Sequence, residues 1–233
     1  MKYLEFNNRS SEDFKLGIIK VNIGTPKPNL ITEKVPYCNG TFDFSTVVTG
    51  GLKTYSDRTI TVDFNYISDG QEDLYTKFSE MSSWLLCGAK DKLIFNYING
   101  FYTGQCTEIS TLDSFINYGK FTVTFICNPS LKVGSYGDYI WDKFNFINGI
   151  SEIAKWTVNT NDIISIFNKG IDVNPNLLVD SDITITLNNK TFKLQAGENI
   201  LNGLILKNGD NEIKILESNH NTTIQINFEK EMI

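Results

Sequence analysis

Residues 59–66 are T-I-T-V-D-F-N-Y, and residues 121–127 are F-T-V-T-F-I-C. In each stretch the apolar residues recur at every second position, which places their side chains on one face of an extended strand. Both segments therefore predict half-buried β-strands, with one face against a core and the other facing solvent. Such strands are typical of an antiparallel all-β protein.

The segment between these two strands has a different period. Apolar residues recur there at the spacing of one helix face: Leu74, Phe78, Met81 and Leu85. Ser68 is placed to cap the first turn of this helix, and Gly88 to end the last turn. The sequence predicts one substantial helix, over about residues 71–87, with ordinary core packing along its apolar face.

Turn signals divide the rest of the chain into short segments. Asn-Gly pairs, which tolerate positive φ, occur at Asn39-Gly40, Asn99-Gly100, Asn148-Gly149, Asn202-Gly203 and Asn208-Gly209. Short strands between closely spaced turns predict a β-sandwich in the second half. Asn128-Pro129 ends the last strand of the first half, because proline cannot donate a ladder hydrogen bond. We predict two domains, 1–130 with the helix and 131–233, and we find no internal repeat.

Charge and hydropathy exclude several classes of partner. The 233 residues carry 21 Lys+Arg and 27 Asp+Glu, a net charge of -6, and no basic run. A grip on a phosphate backbone needs such a basic patch, so sequence-specific nucleic-acid binding is not expected. No stretch reaches the roughly 18 apolar residues of a membrane helix. The N-terminus lacks the apolar segment of a secretory signal, and we expect folding in a cytoplasm.

No arrangement of residues indicates catalysis, a metal or a cofactor. The four cysteines have no C-x-x-C spacing, and no histidine lies near them; we interpret them as reduced residues of core or strands. The single histidine, His220, falls in a turn-like stretch and is interpreted as solvated. Residues 134–137 match no nucleotide-binding motif. A glycoside hydrolase would need two paired carboxylates, and nothing indicates such a pair. We predict no enzyme, no cofactor and no metal.

One alternative function follows from the aromatic residues. Trp141 and Trp156 in the second half are the candidates to stack on sugar rings. The alternative hypothesis is therefore a carbohydrate-binding β-sandwich module that recognises a bacterial cell-wall glycan. The competing interpretation places both tryptophans in the sandwich core or in a domain interface.

A resemblance to a known family covers the whole chain. Residues 6–16, F-N-N-R-S-S-E-D-F-K-L, are similar to the start of the distal tail proteins (Dit) of long-tailed phages that infect Gram-positive bacteria. Residues 35–43, V-P-Y-C-N-G-T-F-D, and the Y-S-D-R-T-I strand from residue 55 resemble further segments of that family. So do N-K-G at 168–170 followed by Pro175, and G-D-N-E-I at 209–213. Lys15 departs from the pattern, because the family usually has glycine there.

The resemblance implies both a fold and a role. The implied fold is mainly β with one helix: an N-terminal β-sandwich or barrel-like domain that carries the helix and a protruding hairpin, and a C-terminal galectin-like β-sandwich. The implied role is a structural baseplate hub, a hexameric ring in the virion that joins the tail tube to the tail-tip apparatus and is assembled in the host cytoplasm. The implied partners are other copies of the chain, the tail tube protein, the tail-tip protein and receptor-binding proteins.

A closed ring needs a head-to-tail interface in which one surface of each copy contacts a different surface of the next. The segment from Lys34 to Leu52, with its Val-Pro, Asn-Gly and Gly-Gly signals, is the candidate for an arm that reaches the neighbouring copy. The candidate arm residues are Val35, Pro36, Asn39, Gly40, Phe42, Gly50 and Gly51.

Overall fold

The computed structural model describes residues 2–67, 71–115, 118–136, 154–219 and 221–233. The chain forms two compact units. The first consists of Met1–Pro28, Tyr55–Lys132 and Ile233, and the second of Asn29–Thr54 and Val133–Met232. Residues 29–54 are thus grouped with the second unit, whereas the sequence-based division at residue 130 places them in the first domain.

The described residues form twenty strands and one α-helix. The first part contains β1 (Leu4–Phe6), β2 (Arg9–Ser10), β3 (Gly17–Ile23), β4 (Thr32–Glu33), β5 (Phe42–Asp43), β6 (Arg58–Ile67), α1 (Gln71–Leu86), β7 (Asp91–Phe95), β8 (Phe101–Ile109), β9 (Asp113–Phe115) and β10 (Tyr118–Cys127). The remainder contains β11 (Leu131–Ser135), β12 (Lys155–Val158), β13 (Ile163–Asn168), β14 (Asn176–Val179), β15 (Ile183–Leu187), β16 (Lys190–Leu194), β17 (Gly197–Asn199), β18 (Gly209–Glu217), β19 (Thr222–Asn227) and β20 (Glu229–Met232).

The first unit is built on one antiparallel sheet, in the order β2-β1-β7-β8-β10-β6-β3. Its longest pairing joins β10 to β6, from Tyr118 opposite Ile67 to Cys127 opposite Arg58. The predicted apolar faces of these two strands are buried: Ile60, Val62, Phe64, Tyr66, Phe121, Val123, Phe125 and Cys127. Both strands and the burial of their alternate residues are confirmed.

Helix α1 packs its own apolar face against this face of the sheet. Leu74, Met81 and Leu85 are buried, and the Phe78 ring meets the Phe121 ring edge-on at 5.4 Å between centroids. The helix ends at Leu86, one residue before the predicted end, and the predicted cap at Ser68 lies outside the described residues.

The turn after β1 holds the end of the helix in place. The Asn7 side-chain amide donates to the Trp84 carbonyl at 3.1 Å, and the Trp84 indole N–H donates to the Phe6 carbonyl at 2.8 Å. A Cβ atom at Gly88 would lie 1.9 Å from Asn7 Nδ2. Gly88 therefore lets the chain pass close to Asn7, which is a different role from the predicted helix stop.

The second unit is a sandwich of two four-stranded antiparallel sheets, β12-β19-β14-β17 and β13-β18-β15-β16, and β20 pairs with β11. Alternate residues of each sheet point into a shared core, which includes the fully buried Leu177, Ile213, Ile215, Ile224 and Ile226. Asn188 and Asn189, at φ 51° and 60°, form the tight turn between β15 and β16. The predicted sandwich is confirmed.

Two turns of the sandwich share a six-residue sequence pattern and one geometry. Residues 194–199 are L-Q-A-G-E-N and residues 206–211 are L-K-N-G-D-N. In each, the asparagine Oδ1 accepts from the backbone N–H four residues earlier, Gln195 at 3.1 Å and Lys207 at 2.8 Å. The asparagine Nδ2 donates back to the carbonyl of that same residue at 2.8 Å in both turns. A side-chain amide thus closes each turn.

The N-K-G segment at 168–170 also has a turn that an asparagine side chain closes, here through bonds to the residues that follow it. Asn168 is buried; its Oδ1 accepts from the Gly170 N–H at 2.9 Å, and its Nδ2 donates to the Ile171 carbonyl at 2.8 Å. Asn168 and Asn211, which both belong to segments that resemble the distal tail family, are therefore turn-locking residues. Their polar groups satisfy backbone atoms that would otherwise be buried without partners.

Candidate interaction arm

Residues 29–54, which include the predicted arm segment Lys34 to Leu52 and are called the arm from here on, form a small ribbon within the second unit. Its two ends are joined by hydrogen bonds from the Asn29 backbone N–H to the Thr54 carbonyl at 2.9 Å and from Asn29 Nδ2 to Thr54 Oγ1 at 3.3 Å. Strands β4 and β5 then pair, with Thr32 opposite Asp43 and Glu33 opposite Phe42. Two residues in each strand give few ladder hydrogen bonds, so the ribbon depends on side chains and turns for its shape.

The tip of the arm is a tight turn. The Cys38 backbone N–H donates to the Val35 carbonyl at 3.3 Å, with Pro36 and Tyr37 as the two central residues. Tyr37 has φ 66°, the left-handed region that a type II turn requires at this position and that glycine usually supplies. Its side chain is fully exposed. A bulky residue in this conformation is uncommon and is typical of functional turns.

Apolar side chains of the arm point into solvent. The exposed ones are Leu30, Ile31, Val35, Tyr37, Phe42, Phe44, Val47 and Val48. The exposed fraction reaches 68% for Leu30 and 88% for Val48. Single exposed apolar residues are normal on a protein surface, but a concentration of them along one segment indicates an interaction surface.

Of the predicted arm residues, five lie on the exposed part: Val35, Pro36, Asn39, Gly40 and Phe42. Gly40 has φ 84°, as its Asn-Gly turn signal predicts. Gly50 and Gly51 lie at the other end of the arm, against Asn202, Gly203 and Ile205 of the same unit. The structure therefore separates the candidates into an exposed group and a group that contacts the chain's own sandwich.

Six exposed apolar residues of the arm are not among the named candidates: Leu30 and Ile31, which lie before the predicted segment, and Tyr37, Phe44, Val47 and Val48, which lie within it. A signal for them was present, since Leu30-Ile31 and Val47-Val48 are consecutive apolar pairs. A strand with one buried face alternates apolar and polar residues, and a consecutive pair must expose one member unless both faces are covered.

A serine and an aspartate close the turn after β5. The Asp43 Oδ1 accepts from the Ser45 backbone N–H at 2.8 Å, and Ser45 Oγ accepts from the Ile31 N–H at 2.7 Å. The hydroxyl and the backbone N–H of Ser45 lower the pKa of Asp43 below its usual value. The ionised carboxylate is thus the form that holds this turn.

Of the two tryptophans predicted as candidates for sugar stacking, the structure describes Trp156. Trp156 lies on β12, partly buried and packed against the sandwich core on the same strand face as the buried Val158. Its side chain is therefore directed to the core side of the sheet, the competing interpretation given above. Trp141 lies outside the described residues.

The cysteines divide equally between core and surface. Cys106 and Cys127 are buried, and burial raises the pKa of the Cys106 thiol to about 11 and that of Cys127 to about 12. Cys38 in the arm and Cys87 after α1 are exposed, so the expectation that all four are core or strand residues is wrong for these two.

Within the described ranges, no three His, Cys, Asp or Glu side chains are grouped as a metal site would require. None of the helical residues that the structure describes forms a segment long and apolar enough to span a bilayer. His220 lies outside the described residues.

Comparisons with known proteins identify the class of this molecule. Residues 12–127 match the family model of the phage tail protein RIFT-related domain. The structure is similar to that of the Dit protein of SPP1, described as a paradigm of the hub adsorption apparatus in phages that infect Gram-positive bacteria. That similarity has a TM-score of 0.65 at 13% sequence identity and covers 100% of both chains.

A chain of the phage P2 baseplate, described as being in its activated conformation with Ca, aligns over 100% of both chains, with a TM-score of 0.43 and 8% identity. No curated protein sequence matches at a significant level. The chain carries a phage tail protein RIFT-related domain, and its resemblance to the distal tail proteins is confirmed. The predicted fold class, mainly β with one helix, is confirmed as well.

Proposed function

We propose that this phage tail protein is a distal tail protein that acts as a baseplate hub. In this role six copies form a ring that joins the tail tube to the tail-tip and receptor-binding apparatus of the virion. The tail-protein domain at residues 12–127 and the fold shared with the SPP1 protein support the proposal. The hub binds and positions other proteins and carries out no turnover.

The exposed apolar arm is the observation that carries the ring assignment. A cyclic ring requires a heterologous interface, in which one patch of each copy meets a different patch of the next. The arm presents Leu30, Tyr37, Val47 and Val48 to solvent. Burying such side chains stabilises an interface by about 25 cal/mol per Å² of apolar surface removed from water. The partner proposed to cover the arm is the neighbouring copy of the chain, because every position of a ring has one such neighbour.

Light scattering after gel filtration, with negative-stain images of the peak, tests the ring. Six copies of 26.4 kDa give about 158 kDa for a closed six-fold assembly. If the chain requires the tail tube as a template, the same measurement with the purified tube protein gives rings at the tube end. A chain that remains monomeric alone and does not bind tube ends contradicts the hub proposal.

Substitutions in the arm test which surface closes the ring. Val48→Ser and Leu30→Ser together are expected to abolish ring formation while leaving the unfolding transition unchanged, since both side chains are exposed in the monomer. Ile163→Ser is the matched control, because Ile163 is a similarly exposed apolar residue on β13 of the sandwich. Rings that survive the double substitution would assign closure to another surface.

The carbohydrate-binding module stays a prediction. A glycan screen of the assembled protein tests it, and binding that persists after Trp156→Ala would show that Trp156 takes no part in it.

A further inference from the structure

The C-terminal end of the arm makes an unusually close approach to the sandwich. Gly50 has φ 69°, and a Cβ atom there would lie 2.2 Å from Asn202 Oδ1 and 3.1 Å from the Gly203 backbone nitrogen. Gly51 has φ 119°, and a Cβ atom there would lie 3.1 Å from Ile205 Cδ1. Any other residue at position 50 would strain the backbone at this φ and force the Asn202 side chain to shift.

The receiving surface is held rigidly. Residues 201–206 lie between the two asparagine-locked turns, which Asn199 and Asn211 close. Leu204 and Leu206 anchor this segment in the sandwich core with fully buried side chains. The backbone is held from both sides: Leu206 exchanges hydrogen bonds with Val173 at 3.0 and 2.9 Å, and Asn188 Nδ2 donates to the Ile205 carbonyl at 2.9 Å.

At its base the arm follows directly on the bridged residues Pro28 and Tyr55, and its two ends are bonded through Asn29 and Thr54. Its described backbone hydrogen bonds are made mostly within the arm itself, such as Phe44 N–H to the Ile31 carbonyl at 2.8 Å and Gly51 N–H to the Thr46 carbonyl at 3.0 Å. These bonds define the shape of the ribbon, and none of them joins it to the sandwich. The contact of Gly50 and Gly51 with residues 202–205 relates the arm to the sandwich of the second unit.

We propose that this contact, the Gly50–Asn202 seat, positions the arm, so that the sandwich of the second unit determines where the arm's apolar surface is presented. Gly50, Gly51 and Asn202 are then positioning residues for the interface, and the exposed apolar side chains make the contact itself. The assembly role of the seat rests on the proposed ring, whereas the seat itself is a property of the single chain.

The chain offers a matched pair of glycines to test the seat. Gly40, in the same arm, has φ 84°, and a Cβ atom there would meet no atom within 4 Å. Gly50→Ala and Gly40→Ala therefore impose a similar backbone strain, but only Gly50→Ala adds a clash with Asn202. Asn202→Gly removes the clashing side chain, so the double variant Gly50→Ala/Asn202→Gly separates the contact from the strain.

Hydrogen exchange of the full-length chain, resolved by peptide, is the measurement. Gly50→Ala is expected to accelerate exchange in peptides of residues 29–54 by about tenfold, with unchanged protection in β18 and β19. Gly40→Ala is expected to remain within about twofold of the parent protein outside its own turn. The double variant is expected to recover most of the protection that Gly50→Ala loses.

Equal exchange in Gly50→Ala and Gly40→Ala would overturn the proposal, and so would a double variant as unprotected as Gly50→Ala. Loss of protection spread evenly over β18 and β19 would also overturn it, because the contact would then serve the stability of the sandwich rather than the arm. If the parent protein fails to form rings, that result contradicts the hub proposal and leaves the Gly50–Asn202 seat unaffected. The exchange experiment measures the single chain and does not depend on assembly.

Discussion

The arm and the sandwich belong to the same unit and use the same types of apolar residue in opposite ways. In strand β14 Leu177 and Val179 are buried, and each faces a second sheet. In the arm Val47 and Val48 are exposed, and no second layer covers the short β4–β5 ribbon among the described residues. The difference comes from the surroundings of the residues rather than from their chemistry.

This contrast between arm and sandwich is the one that the proposed interface predicts for the free chain. A sandwich strand alternates apolar and polar residues because only one of its faces meets the core. The arm contains consecutive apolar pairs in a ribbon too short to form a core of its own. Each apolar side chain left in water forgoes roughly 1.5–3 kcal/mol of burial free energy, which an interface can recover.

The largest expected difference is in thiol reactivity, between the exposed arm and a buried core. Cys38 in the arm should react with iodoacetamide at the rate of an exposed thiol, whereas Cys127 in the first-unit core should be protected by about a thousandfold or more. Burial raises the pKa of Cys127 to about 12 in the folded chain, so the thiolate is scarce there and reaction requires the chain to open. Peptide mass spectrometry over time measures both sites in one sample, with Cys87 and Cys106 as a second exposed and buried pair. Similar rates at Cys38 and Cys127 would contradict the contrast.

A neighbouring pair of leucines tests the same contrast on a single strand. Leu177→Ala removes a fully buried side chain and is expected to lower the free energy of unfolding by about 3 kcal/mol. Leu178→Ala is the control: Leu178 is 44% exposed, and the expected change is below about 0.5 kcal/mol. Urea unfolding with an unchanged m-value measures both variants. Equal losses would mean that Leu178 is covered in solution.

Much of the architecture could be predicted from periodicity alone. The alternation in β6 and β10 and the helical spacing of Leu74 to Leu85 report burial directly, because each pattern arises from a face that meets a core. The Asn-Gly signals at Asn99-Gly100 and Asn202-Gly203 fall at positive-φ glycines. Periodicity and turn residues are properties of short segments, so the sequence of each segment is enough to predict them.

The assignment of the arm to the second unit could not be predicted in this way. Residues 29–54 lie far along the chain from Asn202, and nothing in the spacing of Gly50-Gly51 indicates which surface the glycines approach. The L-x-x-G-x-N repeat was visible in the sequence, but its meaning depends on hydrogen bonds from Asn199 and Asn211 to backbone atoms. Such long-range contacts are set by the fold as a whole rather than by local preference.

The two repeated turns allow a comparison within the sandwich. Asn211→Ala removes a buried amide that bonds Lys207 and Gly209, and the free energy of unfolding is expected to fall by about 2 kcal/mol. Asn199→Ala should cost about 1 kcal/mol, because this half-buried turn can exchange the lost bonds for water. Chemical denaturation of both variants measures the difference. A larger loss at Asn199 would show that burial does not determine how much such a turn contributes to the free energy of unfolding.

The smallest expected effect is in the titration of two aspartates, Asp43 in the arm and Asp180 in the sandwich. Hydrogen bonds lower both pKa values, from the hydroxyl and N–H of Ser45 to Asp43 and chiefly from the backbone N–H of Thr223 to Asp180. A depressed carboxyl pKa adds stability that is present above the unfolded-state value and is lost as the pH falls through the folded-state value. Both carboxylates are solvent-exposed, so global unfolding should change little.

The local consequences of protonation should nevertheless differ between these two aspartates. Protonation of Asp43 should release the turn at Ser45 and raise amide exchange within the arm, whereas the sandwich around Asp180 is held by its core and should keep its protection. Carboxyl resonances followed by NMR between pH 2 and 6 give both titrations, and amide exchange in the same samples gives the local response. An Asp43 pKa at or above the usual 3.8 would refute the Ser45 hydrogen bonds as the closure of this turn.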